Sequence, residues 1–228
     1  RCIIVVMMHR FFLPMPTIIQ IEFKRRRPER FVVQWDNGET HLFSPEIAAT
    51  YRFAPGKEFS DAAYRQILRE DGVRRAKDQM LRYLGIRAHS RQELRRKTLA
   101  KGFQPDHVDE ALDALENLKL IDDAQFVRQF IHNELTLRPC SKNLLLEKLL
   151  QKGVDRAILQ PILDEIYATQ SPEEIIHQIA ARFLQRQRQL TPPKRTEKLI
   201  RHLQGKGFEW ELINWVLYDS GLIDRQEE

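Results

Sequence analysis

Three groups of residues in this chain have types and spacings that could do chemistry. Asp122 and Asp123 are adjacent carboxylates, as in a metal pair or an acid/base couple. Lys-Gly recurs at Lys101-Gly102, Lys152-Gly153 and Lys206-Gly207, and that dipeptide is part of a phosphate-cradling loop. Cys2, Cys140 and seven histidines are the candidate metal ligands. None of these patterns is complete. A phosphate loop requires G-x-x-x-x-G-K-[ST], which does not occur, and neither does H-E-x-x-H, a zinc spacing, a nucleophile elbow or a dinucleotide loop. His89, beside Ser90 at a helix entry, has no third partner nearby in sequence. The two aspartates precede an apolar-periodic stretch, where N-capping and the helix dipole account for both. No catalytic, cofactor-binding or metal-binding residue is therefore assigned.

The elements around the three Lys-Gly pairs repeat. With Gly102, Gly153 and Gly207 superposed, Leu94, Leu145 and Leu199 coincide upstream, and Val108, Leu159 and Ile213 coincide downstream. Such self-similarity, at a period of about fifty residues, marks a repeated supersecondary unit. Val108, Ala111, Leu112 and Leu115 stand at i, i+3, i+4 and i+7, one helical face, and Leu159, Ile162, Leu163 and Ile166 repeat it. Each glycine falls where the preceding helix must stop, the C′ position that requires positive φ. Ser90 with Glu93, and Ser171 with Glu174 after Pro172, fit capping boxes, and Ser141 and Asp155 are N-cap types. A further helix precedes each pair, over about 60–84, 122–137 and 171–189. Pro161 should kink or shorten its helix.

The expected fold is mainly α: an elongated array of three tandem three-helix repeats, over 59–120, 121–169 and 170–228, behind a small N-terminal region containing a β-hairpin. In that region, 15–58, alternation at Ile19, Ile21 and Phe23 and at Phe31, Val33 and Trp35 predicts strands, with Asn37-Gly38 turning into Glu39–Phe43. The connection KRRRPER (24–30) is almost wholly basic and reads either as a phosphate contact or as a solvated loop. Residues 1–14 read as an extension or a loose tail. They are too short to span a bilayer and lack an export cleavage site.

The chain has 228 residues, with 30% charged, 42% hydrophobic and a net charge of +5, which suits a soluble helical protein with a polyanionic or acidic partner. Two distant cysteines fit a reducing, cytoplasmic compartment, and a monomer without membrane attachment is expected. Charge is uneven. Asp106, Asp109, Glu110, Asp113 and Glu116, continuing to Asp122 and Asp123, make an acidic side in the first repeat, whereas Arg182, Arg186, Arg188, Lys194, Arg195, Lys198, Arg201 and Lys206 stand against Glu197 alone in the last. Each is either a solvated face or an interaction surface. Lys142, Lys148 and Lys152 lie along one middle helix, and Lys194, Arg195, Lys198 and Arg201 along the equivalent one; these seven are the candidate partner-binding residues. Trp210 and Trp215 are expected in packing.

The run Tyr83-Leu84-x-x-Arg87-x-x-Ser90-x-x-Glu93-Leu94 resembles the opening signature of the RecX family, regulators of the RecA recombinase. Leu120-Ile121-Asp122-Asp123-x-x-Phe126-x-x-x-Phe130-Ile131 is similar to a second signature, and the stretch from Leu145 to Val154, ending Lys-Gly-Val, to a third. Arg138-Pro139-Cys140 departs from the family's basic-glycine loop, and the third repeat matches more weakly than the others. The resemblance implies a non-enzymatic modulator without cofactor. Such a protein binds the RecA filament and restrains recombination, ATP turnover and co-protease activity in DNA repair and the SOS response. The basic faces of repeats two and three are expected to engage RecA; the alternative is a basic helical-repeat protein that binds single- or double-stranded DNA and acts on recombination indirectly.

Overall fold

The protein is described by a computed structural model over residues 15–25 and 29–223. The extension at 1–14, part of the basic connection (26–28) and Asp224 lie outside the described residues. The chain divides into two compact units, one of residues up to 79 with 101–111, the other of 80–100 with 112 onward.

In the first unit, β1 (Ile18–Lys24), β2 (Arg30–Trp35) and β3 (Thr40–Phe43) form an antiparallel sheet in sequence order, with Phe23 opposite Phe31 and Val33 opposite His41. Alternation puts Ile18, Val33, Trp35 and Phe43 on the buried face. Trp35 is the centre, its ring edge-on to Phe43, Phe53, Phe59 and Tyr64. The short α1 (Pro45–Thr50) is capped by Ser44, whose own N–H donates to Asp71 at 3.0 Å on α2 (Asp61–Leu84). Gly72 of α2 lets His107 of α4 (Pro105–Asn117) come close. A Cβ there would stand 2.2 Å from His107 Nδ1.

The second unit contains α3 (Arg91–Leu99), α5 (Asp123–Leu137), α6 (Lys142–Gln151), α7 (Arg156–Thr169), α8 (Pro172–Arg186), α9 (Pro192–Gly205) and α10 (Trp210–Asp219). The serine and aspartate caps form as the sequence indicates. The side chains of Ser90, Ser141, Asp155 and Ser171 accept N–H groups of the first turns of α3, α6, α7 and α8. Asp122 caps α5 in the same way, but Asp123 departs from expectation. Its carboxylate accepts the Arg91 N–H at 2.8 Å, so it closes the start of α3 rather than serving its own helix. Separate clusters follow the repeats: Phe126, Leu145, Leu159 and Leu163 in one, Ile176, Leu199, Ile213 and Val216 in another.

Of the two effects expected of Pro161, a kink or a shortened helix, the second does not occur, since α7 runs on to Thr169. Proline removes one donor and crowds one carbonyl, and burial of Leu159, Ile162 and Leu163 on both sides of it outweighs that local loss. Trp210 and Trp215 are exposed, at 55% and 42%, rather than packed. The buried stripe of α10 is Ile213, Val216 and Leu217; Trp215 falls two residues from either end of it and faces away, and Trp210 is the first residue of the helix.

Gly102, Gly153 and Gly207 all stop their helices with positive φ, +85°, +77° and +79°. Two of them have a second role. A Cβ on Gly153 would lie 2.4 Å from Gln92 Cγ, and Ser90 Oγ donates to the Lys152 carbonyl at 2.5 Å. A Cβ on Gly207 would lie 2.8 Å from Leu144 Cβ, and the Ser141 N–H donates to the Lys206 carbonyl at 3.0 Å. The Lys-Gly turn of one repeat is thus seated on the capped start of the previous repeat's middle helix, twice in the same manner. Asn143 Nδ2 adds a bond to Glu209 at 3.0 Å in the second joint.

Candidate interaction surface

The seven sequence-designated cations fall in two different electrostatic settings. On α6, Lys142 reaches Asp164 at 2.6 Å and Lys148 pairs with Glu134. The Lys142 hydrogen bond holds the Asp164 carboxyl below its usual range. Lys152 follows the last turn, its ammonium 5.3 Å from the Phe130 ring centroid. These three lysines are thus engaged by neighbours in their own repeat.

On α9 the balance is different. Among the described residues, Lys194 and Lys198 are exposed and have no ion pair, and Arg201 has only the exposed i,i+4 partner Glu197 at 2.7 Å. An exposed pair of this kind contributes little and leaves both groups open to a stronger partner. Arg195 is half-buried, and its Nε is shielded from solvent without a hydrogen-bond partner among the described residues.

Arg195 lines a shallow cleft with Arg182 and Arg188. A second cleft, of about 280 Å³, shares Arg182 and adds Arg138, Arg186, His202 and Lys206 around Phe183. Among the described residues no carboxylate lines either cleft. Phe183 stacks on His202 with centroids 5.0 Å apart. Burial, then the Lys206 charge, lowers the His202 pKa, so the ring is neutral near pH 7. Arg182 and Arg186, at i and i+4, repel each other along one face of α8. Guanidinium groups held this way, without internal counter-charge, suit an external carboxylate or phosphate that can accept bidentate hydrogen bonds.

Sequence reasoning assigned the α9 cations to the site but left Arg138, Arg182, Arg186 and Lys206 out of it. Arg182 and Arg186 carried a visible i,i+4 signal; Arg138 and Lys206 join them only through packing of the α5–α6 connection against α8 and α9. Among the described residues no group of His, Cys, Asp and Glu could hold a metal ion, and no helix is long and apolar enough to cross a membrane.

Comparison with known proteins gives one consistent result. Residues 76–115 match the family description "RecX, first three-helix domain", and residues 172–217 match "RecX, third three-helix domain". A regulatory protein RecX of Prosthecochloris aestuarii is 33% identical over 149 residues, covering 65% of this chain and 95% of that protein. One from Clostridioides difficile is 24% identical over 203 residues, covering 89% and 95%. Among solved structures, the crystal structure of a regulatory protein RecX superposes with a TM-score of 0.62 at 20% identity, over 89% of this chain and 98% of that one. A RecX from Lactobacillus salivarius gives 0.56 over 68% and 99%.

Proposed function

Since this chain belongs to the RecX family of regulatory proteins, we propose that it binds the RecA nucleoprotein filament and restrains its recombinase, ATPase and co-protease activities. It acts in the cytoplasm as a monomer and turns over no substrate of its own. The observation that carries this reading is the pair of basic clefts along α8 and α9, whose linings among the described residues contain no carboxylate. Their cations have no internal partner strong enough to satisfy them, so a polyanionic or acidic polymer is the fitting counterpart. The α6 lysines, already paired, contribute less than the sequence alone indicates.

The quadruple variant Lys194→Glu, Arg195→Glu, Lys198→Glu, Arg201→Glu tests it. Inhibition of RecA ATPase should be lost while the far-ultraviolet circular dichroism keeps its helical amplitude. Undiminished inhibition by the folded variant removes these residues from the interface. The arginine clefts also favour a second reading, direct binding of DNA phosphates with an indirect effect on recombination. That reading requires tight DNA binding without RecA, falling steeply between two salt concentrations. A RecA strand-exchange titration run beside the DNA-only assay separates the two.

A further inference from the structure

Two joints in this chain each seat a Lys-Gly turn on a serine-capped helix start, and a third Lys-Gly turn has nothing on it among the described residues. At Gly153 the visitor is Ser90-Arg91-Gln92, the capped start of α3; at Gly207 it is Ser141-Lys142-Asn143, the capped start of α6. Both visitors read serine, a cation, then an amide side chain. Both use the serine to donate into the carbonyl of the lysine before the glycine, through Oγ in one joint and N–H in the other. Gly102 has the same left-handed backbone, but a Cβ there would meet nothing within 4 Å. Lys101, Gly102 and Gln104 are exposed. Gln104 stands where Asp155 and Glu209 stand, at the head of the following helix, and Glu209 is the residue that accepts the Asn143 amide.

We infer that the Lys101-Gly102-Phe103 turn is a docking surface for the start of an α-helix of another protein, one that begins with serine and carries Asn or Gln two residues later. The serine donates to the Lys101 carbonyl, the amide lies over Gly102, and its polar end meets Gln104. Among the described residues, the exposed helix starts at Ser44, Ser60 and Ser171 do not fit, being followed by Pro-Glu, Asp-Ala and Pro-Glu. The occupant we infer is a helix start of a different protein.

The inference is independent of RecA binding, and its test contains no RecA. The probe is an acetylated, hydrocarbon-stapled peptide, SRQELRRKTLA, copying residues 90–100; the staple is needed because isolated helices this short are marginal in water. It is titrated to about 2 mM into the ¹⁵N-labelled full chain, a range suited to a Kd between about 0.1 and 1 mM. Saturable amide shifts centred on Lys101–Asp106 are expected. Gly102→Asn, a residue that tolerates left-handed backbone, should weaken binding at least tenfold by filling the seat, and replacing the peptide's serine with alanine should weaken it several-fold with charge unchanged. If Gly102→Asn does not fold, the serine substitution tests the same contact on the unmodified protein. No saturable shift, shifts elsewhere only, or equal affinity for the alanine peptide overturns the inference.

Discussion

The three glycines provide an internal comparison, because each has the same backbone and a different neighbourhood. Alanine at Gly102 meets open space, so its cost is that of left-handed backbone alone, about 1–2 kcal/mol. Alanine at Gly153 carries the same strain and puts a methyl group 2.4 Å from Gln92 Cγ and 2.5 Å from Gln92 Cβ. Gln92 Cβ is fixed to the first turn of α3, so the two repeats must move apart or α3 must shift. Overpacking of this kind adds about 1–3 kcal/mol. Gly205, the last residue of α9 with no positive φ and no near neighbour, is the control, and alanine there should stabilise by up to about 1 kcal/mol. Thermal melts followed at 222 nm resolve these differences, since 1 kcal/mol shifts Tm by roughly 2–4 °C in a chain of this size. The expected order of Tm is Gly205→Ala above the parent, then Gly102→Ala, then Gly153→Ala. Equal losses at Gly102 and Gly153 would refute the claim that the second turn is seated on its neighbour.

Glu93 should give the protein an acid-sensitive joint. Burial raises its pKa, but the Arg87 hydrogen bond at 2.5 Å and the charges of Lys152 and Arg87 overcome this and bring it to about 2, below the ordinary glutamate value of 4.5. A depressed folded pKa means stability that is present above 4.5 and lost as pH falls toward 2. Chemical unfolding across that window should show a loss that Glu93→Gln flattens, and parallel curves would remove Glu93 from the acid limb. The tryptophans divide by environment. Trp35 is 0% exposed against 55% and 42% for Trp210 and Trp215, so acrylamide should quench two populations, and Trp35→Phe should remove the protected one. A single, uniformly accessible population would contradict the burial of Trp35 in the sheet core.

What could be read in the sequence was what is decided locally. The helix stops at Gly102, Gly153 and Gly207 follow from a backbone conformation that only glycine takes cheaply, and the caps at Ser90, Ser141 and Ser171 from one short hydrogen bond each. What could not be read was decided by contacts distant in sequence. Asp123 is spent on Arg91, thirty-odd residues away. Lys142 and Lys148 look free along their helix until α7 and α5 bring Asp164 and Glu134 to them. Arg138 becomes part of a basic cleft only because its loop lies beside α8.

The same repeat logic explains why the third repeat is the basic one. With the glycines superposed, Leu199 of α9 corresponds to Leu145 and Leu94, and all three are fully buried. The counterpart of Ser141 is then Arg195, inside α9 rather than at its cap, because α9 begins a turn earlier, at Pro192. The start of α9 therefore lacks the serine that donates to the Lys152 and Lys206 carbonyls at the starts of α3 and α6. In the first two repeats the middle helix presents its start to a neighbour and its first cation to a carboxylate, Arg91 to Asp113 and Lys142 to Asp164, each at 2.6 Å. In the third, proline holds the first two helical positions and the cations that follow have no such carboxylate. The third repeat therefore has exposed cations available to a partner, whereas the second repeat uses Lys142 and Lys148 internally.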